Sequence, residues 1–228
     1  MNLDPASASS PPNPKRPELF RLLTGLEATA VYAGVLLDIW RWQRAHPRLW
    51  IALLAAVILS HIVHRDRLRD IGLGPEELRG SAESALPLML LAFVPLLVWG
   101  FASGRLQLLA PSRSAALDFA RYASWCAFQQ YVTQGYFHNR LLGVIRTRHL
   151  SSAVVALMFA GAHLPNPVLT AATAVAGFIF SEVFARHRNI WPLALAQTVG
   201  GFLVAAVAPP GLIHNMRVGP GYYLWGLQ

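Results

Sequence analysis

The feature that most constrains this sequence is a series of long apolar runs, typically about 18 to 22 residues, separated by short basic loops. Only 13% of the residues are charged, about half of the roughly 25% found in soluble domains. This pattern excludes an ordinary water-soluble globule and predicts about seven membrane spans. The runs cover residues 20–40, 49–64, 84–103, 117–139, 150–163, 168–185 and 190–209.

These runs predict an all-α fold, a polytopic transmembrane helical bundle. Backbone groups in hydrocarbon must be hydrogen-bonded within the protein, and the alternating pattern of a barrel strand is absent. We expect a transmembrane domain over residues 20–209, after a disordered N-terminal tail, 1–19, and before a C-terminal tail, 210–228. The acidic segment 65–83 is expected to form a helix on the cytoplasmic surface.

The charge distribution predicts a membrane orientation rather than a nucleic-acid partner. The net charge is +8, but the basic residues lie in loops between the runs and form no single face. Their excess on one side favours an integral protein of the cell inner membrane, with a cytoplasmic N-terminus and membrane lipid as its surroundings. That side carries Lys15, Arg16, Arg21, Arg65, Arg67, Arg69, Arg79, Arg140, Arg146, Arg148, Arg186 and Arg188, against Arg41, Arg44, Arg48, Arg105, Arg113 and Arg217 on the other.

The fourth run carries polar side chains that would be unfavourable in contact with lipid. Gln130, Gln134 and His138 are four residues apart and share one helix face, and Gln129 lies about 100° around the helix from Gln130. An amide without partners in hydrocarbon costs several kcal/mol, so this face should point into the bundle. Such residues can simply hold helices together, or they can line a functional pocket.

Two other runs carry polar residues at comparable depth. Phe159 and His163 lie on one face of the fifth helix, and Gln197 lies in the middle of the last one. Polar residues contributed by three separate helices are typical of a functional site inside a bundle.

The order of these motifs resembles that of the CPBP family, the CAAX proteases and bacteriocin-processing enzymes, which are polytopic intramembrane endopeptidases. The family motif Glu-Glu-x-x-x-Arg-Gly is matched by residues 129–135, and Phe-x-x-x-His by Phe159 to His163. The family motif His-x-x-x-Asn or Asp aligns with residues 197–201, and Asp70-Ile71-Gly72-Leu73 resembles the segment that precedes the family core. The resemblance covers about residues 65–205.

The resemblance implies a set of catalytic positions whose chemistry has changed. In the family the paired glutamates activate water and the histidines bind or polarise the scissile carbonyl, whereas a glutamine amide has no useful proton affinity near pH 7. Loss of carboxylates and imidazoles also argues against a metal site, and the single cysteine, Cys126, excludes a Cys-rich one. We expect no cofactor. The candidate site residues are Gln129, Gln130, Gln134, His163 and Gln197.

Three interpretations follow. The protein is a degenerate relative that retains a pocket for a membrane-anchored or membrane-proximal peptide, an active endopeptidase with a non-standard site, or a transport or structural protein with glutamines along a hydrated path. Other residues could supply a base in the second case. Glu182 is expected to pair with Arg186 one helical turn away, and His138 either acts as a base or lies at the exposed end of its helix.

Overall fold

The structure is a computed structural model, and it describes residues 18–106, 113–145 and 147–224. Within these ranges the protein is helical and contains no strand. The expected disordered tail lies outside the described residues, apart from its last two positions, as do Lys15, Arg16 and Arg146. The helices are α1 (Glu18–Leu37), α2 (Leu49–His64), α3 (Leu78–Ala102), α4 (Arg113–Gln130), α5 (Asn139–Val144), α6 (Arg148–Gly161), α7 (Pro167–His187), α8 (Trp191–Val207), α9 (Pro210–Ile213) and α10 (Pro220–Tyr223).

The seven predicted runs coincide with helices, so the all-α prediction is confirmed. Three candidate spans are long and apolar enough to cross a membrane, namely Glu18–Trp42, Leu78–Ala102 and Pro167–His187. The number of seven spans stays a prediction. Helix α3 also exposes large apolar side chains, with Leu91 72% and Phe101 82% accessible. A surface of this kind needs lipid around it, which indicates a membrane protein.

The helices pack closely where small residues face one another. Helix α7 packs against α6, and α8 packs against α3 and α4. At Gly177 a Cβ atom would lie 3.1 Å from the Cα atom of Ala156, so α6 and α7 approach through their backbones, as small residues allow in membrane bundles.

The segment 65–77 is not the surface helix that its sequence was expected to form. It folds as a chain of turns, with Gly72 at φ 78° and Pro75 just before α3. Neither residue suits a helix interior. The segment is fastened by the amide of Asn189, which donates to the carbonyls of Gly74 at 3.0 Å and Glu76 at 2.9 Å.

The same segment packs on the helix that carries the glutamines. A Cβ atom at Gly135 would lie 2.7 Å from the carbonyl oxygen of Ile71, so only glycine lets the segment lie this close. Helix α4 continues at this point as a π-helix, Tyr131–His138, most of which is buried. A π-helix changes the register of the side chains that follow it and is frequent near functional sites.

Candidate functional site

Three of the predicted site residues form one hydrogen-bonded chain, which we call the amide chain. Gln130 Nε2 donates to Gln197 Oε1 at 2.7 Å, and Gln197 Nε2 donates to Gln129 Oε1. Gln130 is completely buried. The central amide, that of Gln197, therefore uses both its oxygen and its nitrogen on neighbouring glutamines.

The amide chain forms because α4 and α8 approach closely on either side of it. At Gly201 a Cβ atom would lie 2.0 Å from the hydroxyl oxygen of Tyr122, so the glycine makes room for that tyrosine. Cys126 and Thr198 are fully buried in the same interface. The glutamines are thus held between two packed helices.

Gln134 does not join the amide chain. Its Oε1 accepts from His138 Nδ1 at 3.1 Å, while its Nε2 is buried without a partner among the described residues. His138 is itself fully buried, and its Nε2 lies 3.5 Å from Ser152 Oγ. Of the two alternatives for His138, the exposed helix end is therefore wrong, because His138 lies in the buried part of the π-helix.

His163 lies just beyond the end of α6, where its ring is fixed by the preceding turn. Its Nδ1 lies 2.7 Å from the carbonyl oxygen of Phe159, and its ring contacts the Phe159 ring edge-to-face with centroids 4.8 Å apart. A carbonyl oxygen only accepts, so Nδ1 carries a proton. In the neutral ring Nε2 is then the acceptor.

His163 and two of the glutamines, Gln129 and Gln197, line one cavity of about 830 Å³. This volume is within the range of small-molecule pockets. Its lining is mainly apolar and comes from α1 to α4, α6 to α8 and the segment after α8. The polar lining residues include Asp38, Gln43, Gln129, His163 and Gln197.

The segment after α8 contributes to the lining of this cavity. The side-chain amide of Asn166 donates to the carbonyls of Ile213 at 2.7 Å and Arg217 at 3.1 Å. The neighbouring residues Met216 and Val218 line the cavity. Asn166 is therefore a structural anchor that the sequence motifs did not single out.

The amide chain can donate and accept hydrogen bonds, but it cannot remove a proton from water near neutral pH. Among the described residues no group of three or more histidines, cysteines or acids is placed to hold a metal ion. The amides of Gln129 and Gln197 can therefore form hydrogen bonds to a polar group in the cavity, and His163 is the one imidazole among its described lining residues.

Glu182, the acid that could replace the missing base, is held in ion pairs. It lies 3.1 Å from Arg148 Nε and 3.0 Å from His149 Nδ1, so the predicted pair with Arg186 is wrong. These partners come from the start of α6, which packs along α7. Glu182 does not line the cavity.

A second polar group, which we call the Arg140 cluster, was not predicted. Arg140 is only 3% exposed, and its Nη2 lies 2.6 Å from Asp66 Oδ2 and 2.8 Å from Ser60 Oγ. Its Nε lies 3.7 Å from Glu27, which also accepts from the hydroxyl group of Tyr136 at 2.9 Å. The cluster joins α1, α2 and the segment 65–77 to the end of the glutamine helix.

The Arg140 cluster predicts an acid-dependent stability that Asp66 carries. Burial would raise the pKa of Asp66, but hydrogen bonds from His61 and Arg140 and the charge of Arg140 lower it to about 2. Because the folded-state pKa is below the unfolded one, this stabilisation is complete above about pH 4 and is lost as the pH falls towards 2.

We therefore expect Asp66→Asn to lower the melting temperature at pH 6, and the gap from the unmodified protein to shrink below pH 4. The measurement is thermal unfolding in detergent across this pH range. Asp118→Asn is the matched control, since Asp118 forms an exposed pair with Arg121. A gap that stays constant down to pH 2 would contradict the assignment.

Comparison with known proteins places the glutamines in a family core. A family model described as Rce1-like, type II CAAX prenyl endopeptidase Rce1-like, matches residues 124–203. No curated protein and no solved structure matches the chain. The matched segment contains all five predicted motif positions, so the resemblance predicted from the motifs is confirmed. Residues 124–203 of this helical, apolar chain are therefore similar to the Rce1-like family.

Proposed function

We propose that this protein is a catalytically degenerate relative of the CAAX-type intramembrane endopeptidases that binds a membrane-anchored or membrane-proximal peptide without cleaving it. The observation that carries the proposal is the amide chain. It stands where the family motifs have two carboxylates and a histidine, and its three side chains are bonded to one another.

The missing group is the base. A general base must hold a proton taken from water, and its contribution is typically about 10² to 10⁴ in rate. Gln129, Gln130 and Gln197 have no such proton affinity. Glu182, the acid of the sixth run, lies in ion pairs away from the cavity.

The cavity supports retention of binding. Its volume of about 830 Å³ and its apolar lining suit an alkyl or prenyl chain with a short peptide. Its polar lining residues Gln129, His163 and Gln197 offer groups that pair with a peptide backbone. The competing interpretation is an active endopeptidase in which His163 supplies the base, because His163 lines the same cavity. A transport path is less well supported, because the glutamines bond to one another.

The proposal includes an inner-membrane location with the N-terminus in the cytoplasm. It is supported by the excess of basic residues in the loops on the N-terminal side and by the apolar helices. Lipid would then surround the exposed apolar side chains of α3.

Binding without cleavage is the experimental signature of this function. We expect the purified protein in lipid nanodiscs to bind a fluorescent S-farnesyl peptide saturably and to release it intact. Ala176→Trp, which places an indole in the cavity, should weaken binding about tenfold or more, because the volume is lost. The measurements are fluorescence anisotropy for binding and mass spectrometry of the recovered peptide.

Leu157→Trp is the matched control, because Leu157 is 69% exposed and lies outside the cavity lining. It should bind like the unmodified protein. A second cavity-filling variant, Ala172→Trp, should weaken binding in the same way, which would show that the effect of Ala176→Trp is not a packing defect at one position. Absence of saturable binding, or binding that neither filling variant weakens, would contradict the proposal.

A further inference from the structure

The part of the cavity lining that the structure describes contains no basic side chain apart from His163. Among the described residues that line it there is one acid, Asp38, and neither a lysine nor an arginine. A carboxylate buried without a cation costs several kcal/mol in lost hydration, and a second carboxylate nearby adds repulsion. The lining is therefore unfavourable for an anionic ligand.

The nearest motif position that could hold a cation does not supply one. Gln134 stands where the family motif has arginine, and its amide is turned to His138. Two arginines of the neighbouring segments, the buried Arg140 and the half-buried Arg188, are already engaged. Arg140 pairs with Asp66, and Arg188 donates to Asn139 and to the carbonyl oxygen of Asp70.

Apart from Asp38, the polar groups that reach the cavity are neutral, and they offer both kinds of hydrogen bond. Gln129 accepts from Gln197 through its oxygen, which leaves its amide nitrogen as a donor. His163 donates through Nδ1 to Phe159, which leaves Nε2 of the neutral ring as an acceptor. A peptide bond has a carbonyl acceptor and an N–H donor, so it matches this pair in kind.

We infer that the cavity selects uncharged peptides: it takes a lipid-modified peptide whose carboxyl group is blocked as an amide, an ester or an internal peptide bond, and it rejects a free C-terminal carboxylate. This inference rests on the proposed peptide-binding function and names the chemical class of its ligand. The amide chain and His163 pair with the neutral backbone, and Asp38 repels the anion.

The test is a matched pair of S-farnesyl peptides that differ only in a C-terminal amide or a free C-terminal carboxylate. Their dissociation constants are measured with the full-length protein in nanodiscs of uncharged lipid at pH 7. We expect the amide peptide to bind about tenfold or more tightly. Asp38→Asn should reduce the difference in affinity between the two peptides. Gln43→Lys, which adds a cation to the lining, should reduce this difference further because it strengthens binding of the carboxylate peptide.

The control for these variants is Gln43→Leu, which changes the same lining position without adding charge and should leave the preference unchanged. Equal affinities, or tighter binding of the carboxylate peptide, would overturn this inference and leave peptide binding intact. If neither peptide binds, the proposed function itself fails and this inference fails with it. A preference that Asp38→Asn and Gln43→Lys leave unchanged would also overturn the inference.

Discussion

Replacement of Arg140 by methionine should destabilise the protein more than any other single change to its polar groups. The substitution preserves much of the side-chain length but removes the cation that faces Asp66 and Glu27. Removing one partner of a buried pair typically costs about 3–5 kcal/mol, because the remaining charge stays buried without compensation. The expected result is a large fall in the melting temperature, measured by intrinsic tryptophan fluorescence in detergent.

The double variant Arg140→Met with Asp66→Asn separates this explanation from a simple packing defect. It should recover part of the loss, because the uncompensated carboxylate is removed together with the arginine. Arg79→Gln is the control on the surface, where Arg79 is 91% exposed in its pair with Glu83, and it should melt like the unmodified protein. If Arg140→Met also melts at the unmodified temperature, the Arg140 cluster does not hold the bundle together.

The sequence predicts the helices well, because the physical signal is strong and local. Each apolar run of membrane length must satisfy its own backbone, and a helix is the solution available to a single segment. The meeting of Gln129, Gln130 and Gln197 is also accessible from sequence, since amides at membrane depth need polar partners on other helices. The resemblance to a family places those helices together.

The Arg140 cluster could not be found by the same reasoning. A basic residue that follows an apolar run is normally interpreted as a charged residue of a loop. Nothing in the sequence around Arg140 indicates that its side chain contacts Asp66 and Ser60. One signal was available. Glu27 is an acid inside the first apolar run and therefore requires a cation or several donors from elsewhere in the fold.

The side-chain partners of Glu182 and Gln134 also depend on tertiary structure. Glu182 has an arginine one turn away, yet α6 brings Arg148 and His149 within 3.1 Å of it. Gln134 was expected to share a helix face with Gln130, but the two side-chain amides have different partners. Gln130 bonds to Gln197, and Gln134 bonds to His138. Contacts between helices determine these partners, and helix periodicity alone does not predict such contacts.

The second large effect concerns activity, because the proposed lack of catalysis depends on the glutamines at specific motif positions. We expect detectable peptide hydrolysis only when Gln129→Glu, Gln130→Glu and Gln197→His are combined, and higher activity when Gln134→Arg is added. The glutamates supply the base and the histidine supplies a group that polarises the scissile carbonyl. The measurement is cleavage of an S-farnesyl reporter peptide by purified protein in lipid.

Two glutamates alone should not restore turnover. They would lie side by side at the end of α4, where like charges raise each other's pKa and one of them stays protonated. Arginine at position 134 would lie one turn from position 130 and could offset one charge. If the pair Gln129→Glu and Gln130→Glu hydrolyses the reporter as fast as the four-fold variant, the roles assigned to positions 134 and 197 are wrong.

The most direct measurement is turnover of that reporter peptide by the unmodified protein in lipid, with His163→Ala as its matched variant. We expect the peptide to bind to both proteins and to be recovered intact from them, because the amide chain contains no group that can activate water. Robust cleavage by the unmodified protein that is abolished in His163→Ala would contradict this expectation and would identify His163 as the base of an active endopeptidase.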